Sequence, residues 1–316
     1  MKRYVVTGGA GFIGSCLVRG LLAEEGAEVA VIDNLLTGHR KNLEEVRSKV
    51  ELHLVDICSF NDVLEAVKGA DTVFHLAAIP SVPRSIKDPV PSHEVNIDGT
   101  FNVLRAAQEG GVRRVVYAAS SSAYGDTDVL PKVETMQARP KSPYAAQKLM
   151  GEHYCSVFSS CFSLETVALR FFNVYGQRQD PNSPYSGVLS LFMKHLIART
   201  APLIHGDGEQ TRDFTYVEDV AGLIMKASKA GPAAVGNVYN AGNGNRYSLN
   251  TIWKQLQEIE GVSIEPGYGP SREGDVRDSQ ACTTAAVRDL GHDPQFTLEQ
   301  GLRRTLEWYR QDQQAL

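Results

Sequence analysis

The sequence predicts an α/β protein built on a doubly wound parallel sheet, with a smaller α/β lobe toward its C-terminal end. Three observations carry that prediction. Short apolar runs alternate with stretches of helical periodicity through the first half of the chain. A glycine-rich turn joins the first apolar run to the first helical stretch. After about residue 175, turn formers interrupt the alternation, which then resumes only in part. Repeated strand, helix, strand units imply parallel strands, right-handed crossovers and helices on both faces.

Taken in order, the apolar runs 4–7, 27–33, 50–56, 72–77, 115–119 and 167–172 read as buried strands, with helices expected at 13–25 and 95–109. The first turn is Thr7-Gly8-Gly9-Ala10-Gly11-Phe12-Ile13-Gly14. Its glycines allow a tight bend and a close approach of a pyrophosphate to a helix N-terminus, whose N–H groups favour negative charge. The next strand ends in Asp33, about twenty residues on, where a carboxylate holds a ribose 2′-hydroxyl and repels a 2′-phosphate. NAD is therefore expected over NADP. Later strand ends carry Asp56-Ile57, then Leu76-Ala77-Ala78, small enough to let a cofactor pass, then Ser120-Ser121-Ser122-Ala123-Tyr124-Gly125. Ser142-Pro143-Tyr144-Ala145-Ala146-Gln147-Lys148 follows. Proline suits a first helical turn, and residues four apart share a helix face, so Tyr144 and Lys148 point the same way. An ammonium beside a phenol favours the phenolate, which predicts a lowered Tyr144 pKa and a base for an alcohol.

Past Arg170-Phe171-Phe172-Asn173-Val174-Tyr175-Gly176, the stretch 179–187 is rich in turn formers. Helices are expected at 189–198, 217–229, 249–260 and 298–310, with a strand at 237–241. The expected division is 1–174 for the cofactor, with return segments near 213–242, and 175–316 mainly for the substrate.

Composition narrows the function. The 316 residues leave room for a large core or two unequal domains. A formal charge of −5 and a pI near 5.9 give no general attraction to nucleic acid or to an anionic membrane. Five scattered cysteines without a Cys-x-x-Cys pair suggest neither a metal site nor a disulfide framework, and they fit a reducing cytoplasm. No secretory signal is visible, and no apolar run approaches the ~20 residues that span a bilayer. A soluble cytoplasmic protein is expected.

The glycine turn, Asp33, the serine-bearing strand end and Tyr144-x-x-x-Lys148 occur in the order of the extended short-chain dehydrogenase/reductase superfamily, which the chain resembles along its whole length. The resemblance implies a Rossmann-type domain with NAD held by Gly8, Gly11, Phe12, Ile13, Gly14, Asp33 and Asn34. Further contacts would come from Asp56, Ile57, Leu76, Ala77, Ala78, Asn96 and Phe171, and from Tyr144 and Lys148 themselves. The superfamily's catalytic serine precedes the tyrosine of its Tyr-Gly pair by four residues, which selects Ser120. Because three serines are consecutive, a one-residue slip would move the role, and Ser122 is the neighbour expected to face substrate.

Asn173, the run from Gly206-Asp207-Gly208 to Arg212-Asp213-Phe214, and Arg272 to Asp275 resemble the UDP-sugar 4-epimerase branch. There Asn173 would bond phosphate or sugar, Arg212 and Arg272 would clamp the diphosphate, and Asp275 would take the uridine ribose. Arginine suits the clamp because its planar fork donates to two oxygens at once. Related decarboxylases and 4,6-dehydratases carry acidic residues where this chain has Ser121 and Ser122. UDP-glucuronate 4-epimerases use a basic residue at the position of Asp180, so a neutral hexose is expected. Small Ser279, where other members have tyrosine, implies room for an N-acetyl group at C2. The implied reaction is reversible C4 epimerisation: Tyr144 takes the 4-hydroxyl proton, Ser120 steadies the oxygen, NAD takes and returns the hydride, and a 4-keto sugar turns over between. The alternatives are a UDP-glucuronate 4-epimerase or another NAD-dependent sugar-nucleotide enzyme. A non-catalytic dinucleotide-binding regulator would not need the Ser/Tyr/Lys set. In this family the helices at 95–109 and 144–158 pair across a twofold axis, so a homodimer is expected.

Overall fold

Alternation along the first strand sets the layers. Val5 is buried in one cluster with Ile32, Val73, Val115 and Tyr117, while Tyr4 and Val6 are buried in another with Val29, Val31, Phe74 and Val116. Successive strand residues point to opposite faces, so a strand with consecutive apolar residues must be covered on both sides. The structure, a computed structural model, describes residues 2–182, 187–271 and 276–312.

The strands are β1 Lys2–Thr7, β2 Ala27–Ile32, β3 Val50–His53, β4 Thr72–His75, β5 Arg114–Ser120, β6 Glu165–Phe171, β7 Asn173–Tyr175, β8 Leu203–His205, β9 Thr211–Arg212, β10 Phe214–Tyr216, β11 Asn237–Ala241, β12 Tyr247–Ser248 and β13 Gly267–Gly269. Seven form one parallel sheet in the order β11-β6-β5-β4-β1-β2-β3. The order reverses at β1, which lies between β2 and β4. A crevice therefore opens at the carboxyl ends of β1 and β4, where such sheets take ligands.

The helices are α1 Phe12–Leu22, α2 Phe60–Val67, α3 Val82–Lys87, α4 Pro89–His93, α5 Thr100–Glu109, α6 Pro143–Cys161, α7 Val188–Ile197, α8 Val217–Lys229, α9 Leu249–Glu260, α10 Thr284–Leu290 and α11 Leu298–Gln311. Helix α1 meets α8 on one face of the sheet through Leu17, Val18, Leu21, Val220, Leu223 and Ile224, while α2, α5 and α6 cover the other. A third apolar cluster joins α7, α9 and α11 through Phe192, Trp253, Leu256, Leu302, Leu306 and Tyr309. Its fully buried residues all lie beyond 174, Phe12, Ile13, Cys16 and Val174 pack against it, and β11 returns from that half to the edge of the sheet.

Several expected elements differ from what forms, among them the helix over 13–25, which ends at Leu22. The stretch expected as one helix over 95–109 opens with a π-helical turn, Glu94–Gly99, before α5. Its wide turn carries Asn96, whose carbonyl oxygen accepts the Ile79 N–H at 2.8 Å and whose amide donates to Ile79 O at 3.2 Å. π-Turns inside helices recur at functional sites. The strands expected to run to residues 56 and 77 pair only to His53 and His75, because their last residues bend into the crevice.

Candidate active site

A cleft of about 400 Å³ lies at the carboxyl ends of β1, β2 and β4. It is within the size range of small-molecule sites. Gly8, Gly11, Phe12, Ile13, Gly14, Asp33, Asn34, Asp56, Ile57, Leu76, Ala77, Ala78, Phe171, Tyr144 and Lys148 all line it. Those residues come from five strand ends and from α1 and α6, so the sheet topology assembles them.

The dinucleotide end follows from the first turn. A Cβ on Gly14 would sit 2.1 Å from the Gly8 carbonyl oxygen, so nothing larger than glycine permits this approach of turn and helix. Helix α1 has no side-chain cap and no acidic residue in its first turn, which leaves its N–H groups for an anion. Asp33 is buried; its Oδ2 accepts the Ala10 N–H at 2.9 Å and its Oδ1 the Leu35 N–H at 2.8 Å. Burial raises its pKa, and those two amides oppose the rise. Each oxygen keeps a second lone pair for a ribose hydroxyl. Asn34 donates to Asp56 at 2.8 Å beside it. An uncapped helix end, a glycine-only cradle and a buried carboxylate together fit NAD.

The reactive end lies on α6. Ser142 caps the helix by accepting the Ala145 N–H, and Pro143 sits in its first turn. Tyr144 N–H donates to Ser85 Oγ at 3.1 Å, which ties the first turn of α6 to α3. Lys148 is buried and its Nζ donates to Ala118 O at 2.8 Å, 5.0 Å above the Tyr117 ring. Burial lowers its pKa to about 8, and Cys155 and Glu152 oppose that shift.

The expected lowering of the Tyr144 pKa does not occur in the protein alone. Its pKa is pushed up to about 12 by burial, and the Ser120 hydroxyl, not Lys148, supplies the opposing pull. The reason is that the Lys148 ammonium is engaged by the Ala118 carbonyl, while the phenol is taken out of water. Ser120 Oγ also lies 2.8 Å from Ser122 Oγ and accepts the Ser122 N–H at 3.2 Å. Ser120 thus belongs with Tyr144, and Ser122 with Ser120.

The remaining predicted residues lie elsewhere. Asn96 stands behind the cleft wall, its amide spent on Ile79 and on Gln147, at 2.9 Å. Asn173 is exposed at the start of β7. Arg212 in β9 donates to Thr211 O and Arg277 O, both at 2.9 Å, and Ser279 N–H donates to Thr211 O at 3.1 Å. Arg212 and Ser279 are therefore neighbours, brought together by the tail folding along β9. Asp213, beside Arg212, is buried and accepts the N–H groups of Asn243, Gly244 and Ala281. Arg272 and Asp275 lie outside the described residues. Asp180 lines the cleft with its carboxylate 3.8 Å from His39 Nε2.

Sequence reasoning missed Ser81, Ser85 and Arg84, which come from α3. The signal was present as a serine cap two residues before a proline, but the helix is only six residues long. It also missed the buried pair beneath the site, in which Arg170 Nη2 meets Glu152 Oε2 at 2.7 Å.

The model of the NAD dependent epimerase/dehydratase family matches residues 4–242. A UDP-glucose 4-epimerase of Mycolicibacterium smegmatis is 38% identical over 317 aligned positions, covering 99% of this chain and 100% of that protein. The solved UDP-glucose 4-epimerase of Thermotoga maritima, with UDP-glucose, superposes with a TM-score of 0.93 at 36% identity, over 98% of this chain and 99% of that one. A UDP-N-acetylglucosamine 4-epimerase of Methanobrevibacter ruminantium, in complex with UDP-N-acetylmuramic acid, gives a TM-score of 0.93 at 34% identity, over 98% of each chain.

Proposed function

The chain belongs to the NAD-dependent epimerase/dehydratase family within the extended short-chain dehydrogenase/reductase superfamily, and from that premise we propose that it reversibly inverts C4 of UDP-hexoses through a 4-keto sugar. The observation that carries the reading is one cleft holding Tyr144 and Lys148 together with the glycine turn and Asp33, with the Ser120 hydroxyl beside the phenol. When bound, NAD supplies a reversible hydride acceptor for C4. Burial holds Tyr144 in the protonated form that returns a proton to O4, and Ser120 supplies the pull toward the phenolate that removes one. Lys148, fixed on the Ala118 carbonyl, keeps a positive charge on the same helix face.

Residues 1–174, with the returning segments near 213–242, are assigned to NAD, and 175–316 mainly to the UDP-hexose. Arg212 is assigned to the diphosphate, and Asn173 to phosphate or sugar. Arg272 and Asp275 keep the diphosphate and ribose roles that the resemblance gives them. Firm contacts at the nucleotide and few at the hexose suit a keto sugar that must present both faces. The small Ser279 side chain beside β9 supports acceptance of N-acetylated as well as plain hexoses. The exposed apolar side chains Phe101, Met150 and Val157 on α5 and α6 support a homodimer. Among the described residues no helix is long and apolar enough to cross a membrane, and the cytoplasmic assignment rests on the scattered cysteines.

The test is product analysis. UDP-GlcNAc is expected to yield UDP-GalNAc without accumulation of NADH; steady NADH release would indicate a dehydrogenase instead. Tyr144→Phe is expected to fold, retain NAD and lose turnover by roughly a hundredfold to ten-thousandfold. Near-normal turnover in that variant would remove Tyr144 from the mechanism.

A further inference from the structure

Three residues assigned to the UDP-hexose, Asn173, Arg212 and Ser279, come from parts of the chain far apart, and one side chain stands at their junction. Asp213 follows Arg212 between β9 and β10 and is wholly buried. Its Oδ1 accepts the Asn243 N–H at 2.8 Å and the Thr215 hydroxyl at 3.3 Å. Its Oδ2 accepts the Gly244 N–H at 2.9 Å and the Ala281 N–H at 3.0 Å. Its own carbonyl accepts the Asn173 N–H at 3.1 Å. Ala281 lies two residues from Ser279, whose N–H is held by Thr211 O. A single residue thus ties the start of β7, the strand of Arg212 and the tail that carries Ser279.

Four donors meet the four lone-pair positions of an ionised carboxylate. An asparagine of the same size offers one oxygen and turns its own N–H groups toward amides that also donate. Amides on a charged acceptor make strong bonds, and amides left unmet in the interior are costly. Burial raises the Asp213 pKa, and the Ala281, Asn243 and Gly244 amides oppose the rise. The packing around the knot is equally tight. A Cβ on Gly242 would fall 2.4 Å from the Ala281 Cβ and 3.0 Å from Asp213 Oδ2, so the tail lies against the end of β11 because residue 242 has no side chain. None of the groups bonded to the Asp213 carboxylate lines the cofactor cleft, which places the knot on the substrate side.

We propose that Asp213 is a positioning residue for the UDP-hexose, setting the diphosphate clamp at Arg212 against the hexose wall at Ser279 through the backbone amides it holds. The inference rests on the C4-epimerase reading and on the roles given there to Asn173, Arg212 and Ser279. Its test uses wild type, Asp213→Asn and Gly242→Ala, with bound NAD as the readout of an intact fold. For each, KM and kcat are measured with UDP-glucose and UDP-GlcNAc, and the Kd of UDP alone by calorimetric titration. Asp213→Asn is expected to keep NAD and to raise both KM values and the UDP Kd roughly tenfold to a hundredfold, with kcat much less affected, as loss of charge-assisted bonds that act only on binding predicts. Gly242→Ala, which pushes Ala281 away without altering the carboxylate, is expected to show the same selective loss. It decides the matter if the asparagine variant sheds its NAD. Unchanged KM and UDP affinity in a variant that keeps NAD would overturn the inference and leave the epimerase reading standing. Loss of NAD together with UDP in both variants would also overturn it, by giving Asp213 to the fold as a whole. A wild type that turns over neither substrate would overturn the epimerase reading itself.

Discussion

Lys148 shows how burial reverses what spacing suggests. Four residues from Tyr144, it reads as the cation that eases the phenol toward its anion, yet the fold takes both groups out of water and shifts each toward its neutral form. The folded lysine titrates near 8, against 10.5 for the unfolded chain. Below about pH 8 both states hold the proton and the cost of burying the ammonium is constant. Between 8 and 10.5 the unfolded chain binds the proton that the folded one has released, so stability rises with pH across that window. Lys148→Met lacks this dependence. The urea-unfolding stability of wild type, measured relative to that variant, is expected to improve by roughly 3 kcal/mol from neutral pH to above 10. Tyr144 is common to both proteins and cancels. A pH-independent difference would show that Lys148 is not buried as an ammonium. Periodicity made the helix face legible; the sign of the electrostatics depends on atoms from β5 that spacing cannot see.

Helix α6 is the element that turns these residues into a site, and its position depends on contacts far along the chain. A Cβ on Gly151 would fall 2.2 Å from the Tyr117 hydroxyl, so a residue that weakens a helix interior is what lets α6 approach β5. One position further, Glu152 receives Arg170 Nε at 2.9 Å and Nη2 at 2.7 Å, both side chains almost wholly buried. Arg170 also lies 4.5 Å from the centre of the Tyr124 ring, in the segment that begins with Ser120. The pair thus joins α6, β6 and the serine turn. Breaking one partner leaves a buried charge: Glu152→Gln or Arg170→Met is expected to cost about 3–5 kcal/mol in urea unfolding. Replacing both with methionine is expected to cost less than either single change. If the double variant lost the sum of the two, the pair would not be acting as a unit. In the sequence, Arg170 is a strand-end arginine and Glu152 a helix-face glutamate. Their separation of 18 residues hides the pairing until the strand returns beside the helix.

At the scale of the whole molecule, the exposed apolar face of α5 and α6 is what a partner would cover. Phe101 packs against Tyr154 and Phe158, with ring centres 5.4 and 5.9 Å apart, and Met150, Val157 and Phe162 extend the surface. Sedimentation is expected to give about twice the 34.5 kDa chain mass. Met150→Lys combined with Val157→Asp is expected to give a monomer that keeps NAD, because the cofactor cleft lies at the strand ends, away from that face. A dimer unchanged by those charges would place the interface elsewhere.

The sequence by itself determined the parallel sheet, the dinucleotide turn with Asp33, and the Tyr144–Lys148 face. Each is written in residues close enough along the chain for strand period, helix period or turn chemistry to reveal it. Only the tertiary structure decided that Asn96 spends its amide on Ile79, that Lys148 is held by Ala118, and that Ser85 of α3 accepts the Tyr144 N–H. Those outcomes depend on which strand end meets which helix. They also depend on how much water is excluded when they meet, and neither quantity has a local signature in the chain.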